Sequence, residues 1–126
     1  MKKLFVIPIT IFLLLFILFH TVFLIGIVPS ASMEPAFHEG SLILGTRFHG
    51  DLKTGDVIVF EHDGALLVKR IAACAGDTVP GGGSEMTVPE GSFYVLGDNL
   101  EESVDSRFWE NPFISTEEIR AKVLSG

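Results

Sequence analysis

Four short blocks of this sequence gather side chains able to do chemistry. In Pro29-Ser30-Ala31-Ser32-Met33-Glu34-Pro35 two hydroxyls flank an alanine, and Pro35 stiffens the turn after them. A serine hydroxyl is a poor nucleophile until a neighbouring base takes its proton. Val68-Lys69-Arg70-Ile71 sets two cations side by side in an apolar run. Strand alternation sends one to each face, so one must point inward or into a cleft; on an edge strand the lysine would instead snorkel to solvent. Gly97-Asp98-Asn99 follows an apolar run and by itself is an ordinary turn. Ser103-Val104-Asp105-Ser106-Arg107 by itself is a solvated loop with a local Asp–Arg pair, worth little at a surface.

The elements that must position these blocks begin with an anchor. Residues 4–28, from Leu4 to Val28, carry no charge and are almost wholly apolar, interrupted only by Thr10, His20 and Thr21. Such a run is long enough to cross a bilayer as a helix, and Pro8 lies in its first turns, where a helix tolerates proline best. Lys2 and Lys3 precede the run and no basic residue follows until Arg47. The positive-inside rule then leaves residues 1–3 in the cytoplasm and sends residues 29–126 outward. The competing reading is a cleavable signal peptide ending at the small residues Ser30-Ala31-Ser32. The apolar run exceeds an ordinary signal core, which favours a retained anchor.

Beyond Pro29 the pattern becomes short runs separated by turns. Ser41–Gly45, Asp56–Phe60, Ala65–Ala73 and Ser92–Leu96 read as strands, the second and third joined through the hairpin turn Asp63-Gly64. Pro80–Ser84 reads as a flexible loop, a hairpin tip or a shortened insertion. The expectation is a mainly β domain preceded by one N-terminal transmembrane helix. Ser115-Thr116-Glu117-Glu118 resembles a capping box, and local signals alone would continue a helix from it through Lys122.

Composition excludes some partners. The 98 residues from Pro29 onward carry seven basic and sixteen acidic side chains, a net charge of about −9. Nucleic acid as a partner needs a basic patch, and tight docking on anionic lipid needs the same. Cys74 is the one cysteine, and the cysteine and histidine spacings match no zinc site, so no metal and no cofactor are expected.

Taken in order, the blocks resemble type I signal peptidase, the membrane-bound serine–lysine endopeptidase of peptidase family S26. The resemblance rests on Ser30–Pro35, on Lys53–Phe60, on Val68–Ile71 with Ala75–Val79, on Val88–Asn99 and on Ser103–Arg107. It runs from the anchor to about Trp109. It implies that Ser32 is the nucleophile and Lys69 the general base. It implies that Ser30 adds its hydroxyl to an oxyanion hole beside the Ser32 N–H, and that Ser103 orients Lys69. Arg70 with Asp98, and Asp105 with Arg107, would be ion pairs supporting the site. Val28, Pro29, Met33, Phe37 and Val68 fall where the family lines pockets for small side chains. A lysine base must be neutral, which burial among apolar side chains can arrange by depressing its pKa. The endoplasmic-reticulum type carries histidine at this position, so Lys69 points to the bacterial or organellar type.

The implied activity is cleavage of signal peptides from exported preproteins after a small P1 residue. The enzyme would sit in the cell membrane as a single-pass protein, its catalytic domain extracytoplasmic. Its expected partners are preproteins, the lipid bilayer and the secretion machinery, with no nucleic acid. Two alternatives stay open: a dedicated peptidase for a pilin or a single substrate, and a non-catalytic anchored binding homologue. They are kept because the chain departs from the family pattern. Ala36 stands where threonine is usual, Leu100 where arginine is usual, Ala72 where glycine is usual, and the glycine expected soon after Arg107 is absent. The resemblance also implies a strand over Ala121–Leu124 in place of the local helix signal. Only 26 residues separate Arg70 from Gly97, which leaves no room for a large second β domain.

Overall fold

The computed structural model describes residues 2–125. Met1 and Gly126, the outer ends of the expected N-terminal and β-domain segments, lie outside the described residues. The helix α1 (Lys2–Val22) has 21 residues and none of its side chains is buried. At 1.5 Å per residue it rises about 31 Å, close to the thickness of a hydrocarbon core. It has the length and composition of a single membrane anchor.

The apolar run does not stay helical to its end at Val28. Phe23–Ile27 forms β1, an edge strand paired antiparallel with β2 (Leu42–Thr46), in register from Phe23↔Thr46 to Ile27↔Leu42. Hydropathy cannot mark this boundary, because both conformations accept phenylalanine, leucine and isoleucine. The unpaired groups of β2 decide it, by offering Phe23–Ile27 a ladder.

The remaining strands are β3 (Val57–His62), β4 (Ala65–Cys74), β5 (Thr78–Gly81), β6 (Ser84–Thr87), β7 (Ser92–Leu96), β8 (Phe113–Ser115) and β9 (Ile119–Ser125). Seven of the nine strands form one antiparallel sheet in the order β1-β2-β9-β3-β4-β7-β8, and β5 and β6 form a separate hairpin. The mainly β architecture is as the sequence implies. β3 and β4 are joined through Asp63 and Gly64, whose φ angles of 49° and 80° suit a tight two-residue hairpin. The β5–β6 hairpin turns at Gly82 and Gly83, within the segment read as a hairpin tip.

At the C-terminus the capping box is real, with Ser115 and Glu118 bonded reciprocally, but it starts only the 3-10 turn Thr116–Glu118. The chain then extends as β9, which inserts between β2 and β3. This overrides the local helix signal and agrees with the strand implied by family resemblance. Ala121 and Val123 point into the core, and pairing on both sides outweighs local propensity.

One buried cluster joins Val28, Met33, Ile43, Val57, Val59, Val68, Ala121 and Val123, so the residues flanking the serine block are part of the core. A second joins Ile58, Phe60, Ile71, Val95, Ile114 and Ile119, with Trp109 packed against it. Phe60 is fully buried there. Phe60→Ala is expected to destabilise the domain by about 3–5 kcal/mol through the cavity it leaves, measured by denaturant unfolding of the detergent-solubilised chain.

Candidate active site

Ser32 reaches its position through a 3-10 turn, Ala31–Met33, that leaves β1 by way of Val28 and Pro29. Ser30 caps this turn: the Ser32 N–H donates to Ser30 Oγ at 3.3 Å, and the Ser30 hydroxyl donates to Ser32 Oγ at 3.1 Å. Buried Met33 plugs the turn into the core. Asn99 clamps it from the far side. Its N–H donates to Ser32 O at 2.8 Å and its Nδ2 donates to Ala31 O at 3.2 Å.

Lys69 comes from the middle of β4, opposite Ile58 of β3. This strand is interior to the sheet, so the lysine has no edge from which to snorkel. Alternation separates the two cations: Lys69 is 4% exposed, while Arg70 is half-buried. The Lys69 Nζ lies 2.7 Å from Ser32 Oγ and 3.3 Å from Ser103 Oγ. Burial lowers the pKa of the amine; the Asp105 charge pulls it up, and the Arg107 charge pulls it down.

Asp105, fully buried, sits beneath this pair. Its Oδ2 accepts the Ser103 hydroxyl at 2.7 Å and the Gly97 N–H at 3.0 Å. Arg107 holds it through Nε to Oδ1 at 2.8 Å and Nη2 to Oδ2 at 3.1 Å. Burial pushes the Asp105 carboxyl up, but the bonds from Arg107, Gly97 and Ser103 outweigh it and hold the group below the usual carboxylate range. Because the Ser103 proton is committed to Asp105, its lone pairs are left to face the lysine.

Arg70 makes a two-pronged pair with Asp98, Nε to Oδ1 and Nη2 to Oδ2 both at 2.8 Å, and also donates to Gly55 O at 2.8 Å. This pair ties β4 to the loop that carries Asn99 and Ser103. Among the described residues no buried side-chain nitrogen or oxygen lacks a partner.

The candidate pocket residues divide. Val28, Met33 and Val68 share one buried cluster, with partly buried Phe37 against it. Exposed Pro29 instead lines a groove of about 350 Å³ beside β1, with Leu24, Ile25, Ile27, Leu66 and Val68. Among the described residues no histidine hydrogen-bonds to Ser32; His62 stacks on Trp109 at 3.9 Å, and His38 lies 3.5 Å from Glu34.

Sequence reading had given Gly97 and Asn99 no role beyond a turn. The structure makes Gly97 a point of close approach, since a Cβ there would collide with the Ser103 side chain and lie 2.6 Å from Ser32 O. Their place in the Gly97-Asp98-Asn99 block was the available signal; only the fold reveals what presses on them.

Two outcomes follow from this geometry. Gly97→Ala is expected to cost about 1–3 kcal/mol by overpacking, read from the thermal midpoint. The depressed Asp105 pKa adds stability above the ordinary carboxylate value of about 3.9, and that stability is lost as pH falls through the lower folded-state value. Asp105→Asn should therefore flatten the acid limb of a stability–pH curve while lowering stability at neutral pH.

A profile of the family described as signal peptidase, peptidase S26, matches residues 1–87 and 80–125 of the chain. Signal peptidase I of Bacillus amyloliquefaciens is 25% identical over an alignment of 117 residues, covering 64% of this chain and 63% of the relative. Signal peptidase I V of Bacillus subtilis (strain 168) is 27% identical over 129 residues, covering 70% and 77%. A catalytic subunit of the signal peptidase complex of Homo sapiens is 46% identical over 41 residues, covering 32% and 21%. The chain thus spans less than two thirds of the length of the first of these relatives.

Proposed function

The chain belongs to the signal peptidase family, peptidase S26, and on that premise we propose that it is a membrane-bound serine endopeptidase that removes signal peptides from exported preproteins. The observation that carries the reading is the buried Lys69 amine, its pKa lowered, 2.7 Å from the Ser32 hydroxyl. Neutral Lys69 takes the Ser32 proton as Oγ attacks the scissile carbonyl carbon, and the C=O electron pair moves to oxygen. The Ser32 N–H and the Ser30 hydroxyl, already side by side, supply donors to that oxyanion. Lys69 then passes the proton to the leaving amine. Water repeats the attack on the acyl-serine, with Lys69 again taking and returning the proton. Ser103 holds the amine in line, and Asp105 holds Ser103.

Substrate selection follows the same surface. The free edge of β1 and the groove beside it, lined by Pro29 and Val68, accept an extended segment leading toward Ser32, and Val28 and Met33 pack the Ser32 turn into the core; the small residue next to the cut is carried over from the family. Lys2 and Lys3 support an N-terminus in the cytoplasm, with α1 as the membrane span and residues 29–126 outside the cell membrane. Because α1 ends at Val22, β1 occupies the outer interface and delivers Ser32 just beyond it.

The test is cleavage of a preprotein with an Ala-X-Ala site by the purified chain. Ser32→Ala and Lys69→Ala are each expected to lose about 10³-fold or more in rate, and retention of full activity by both sinks the reading. Activity should rise with pH as Lys69 deprotonates, with its limb below the ordinary lysine value of about 10.4. Arg107→Gln removes a charge that lowers the Lys69 pKa and exposes the amine to Asp105. Its kcat/KM–pH limb should move to higher pH.

A further inference from the structure

The end of α1 is fastened to the β domain in a way that the chemistry above does not use. A helix leaves its last four carbonyls without helical partners. Here two of them are taken by one residue, Arg47, which directly follows β2. Its N–H donates to Val22 O at 2.7 Å, and its Nε donates to His20 O at 3.2 Å. Outside the β1–β2 ladder, no other β-domain residue hydrogen-bonds to α1 among the described residues. A guanidinium there also complements the negative end of the helix dipole. Beside it, Phe48 is 71% exposed. A cation and an aromatic ring at the end of a membrane-length helix form the pair that settles at the headgroup level and sets helix tilt.

The connection matters because α1 and β1 are joined without a loop. β1 spans roughly 17 Å, so a tilt of about 20° at Val22 moves its far end by roughly 6 Å. Ser32 lies beyond that end. We propose that Arg47 is a positioning residue that clamps α1 to the sheet, fixing the height and angle at which Ser32 meets a membrane-inserted substrate. The proposal rests on the reading of α1 as an anchor and Ser32 as the nucleophile.

The experiment uses the full chain in phospholipid vesicles with two substrates: a membrane-inserted preprotein and a soluble peptide spanning P3 to P2′. Arg47→Gln should lower preprotein cleavage about tenfold, as for loss of a charge-assisted hydrogen bond. Arg47 also lines the β1 groove, but at its Val22 end; three residues before the cut reach only about 10 Å along β1, so peptide hydrolysis should stay within about twofold of the wild type. Arg47→Lys, whose ammonium can still reach His20 O while the backbone bond to Val22 O persists in every variant, should recover most of that loss. A second readout needs no catalysis. Trp109 is the one tryptophan, and it is stacked on His62 at 3.9 Å with Phe60 at 6.0 Å, so it moves with the sheet. Its residual fluorescence anisotropy in vesicles should be high in the wild type and fall in Arg47→Gln as the domain rocks on its anchor. Equal loss on both substrates, or unchanged anisotropy in Arg47→Gln, overturns the proposal. A wild type that cleaves neither substrate defeats the peptidase reading alone, and the anisotropy still decides the role of Arg47.

Discussion

Most of the architecture around Ser32 serves to keep one amine dry. A lysine in water holds its proton at neutral pH and cannot accept another. Placed at the centre of β4, opposite Ile58 and away from any sheet edge, the Lys69 amine loses hydration and with it the preference for the charged form. The sheet order puts the lysine in that position. β4 is paired with β3 on one side and β7 on the other, and β3 in turn with β9, so both are interior strands. If β4 were an edge, its lysine could turn to solvent and the hydroxyl beside it would be inert.

Desolvation by itself would be undone by the nearby carboxylate. Asp105 is fully buried, and its negative charge draws Lys69 back toward protonation. Arg107 answers this through two bonds to Asp105 and an opposing charge on the lysine. The acid, the guanidinium and Ser103 therefore work as one unit. Asp105 orients Ser103, Ser103 orients the amine, and Arg107 keeps the orienting charge from reaching the amine at full strength. Arg70 with Asp98 has a separate mechanical task, binding β4 to the loop from which Asn99 reaches back to the Ser32 turn.

The short connection between β4 and β7 also has a consequence. Relatives of this chain align over more positions than the stretch of the chain they match, so they carry residues that it lacks. Here the interval holds only the β5–β6 hairpin, packed through Val79 and Val88 against Ala73 and Tyr94. None of these four residues makes a side-chain hydrogen bond to Ser32, Lys69, Ser103 or Asp105 among the described residues, although the Asp105 charge reaches Tyr94.

Local pattern was enough to determine the apolar N-terminal segment, four strands to within two residues of their ends (read at 41–45, 56–60, 65–73 and 92–96), the Asp63-Gly64 turn, and the inventory of hydroxyls, cations and carboxylates. Each of these depends on neighbours a few residues away, through periodicity, turn chemistry or an unbroken apolar run. The order of the blocks was specific enough to mark the family. What only the tertiary structure decided depends on residues far apart in the chain. Ser32 and Lys69 are 37 positions apart and meet at 2.7 Å because β1 and β4 fold around one core. The end of α1 at Val22, the insertion of β9 between β2 and β3, the crowding at Gly97, and the grip of Arg47 on His20 and Val22 follow for the same reason. Pairing and packing partners outweigh local preference wherever a backbone group or a side chain must find its match across the fold.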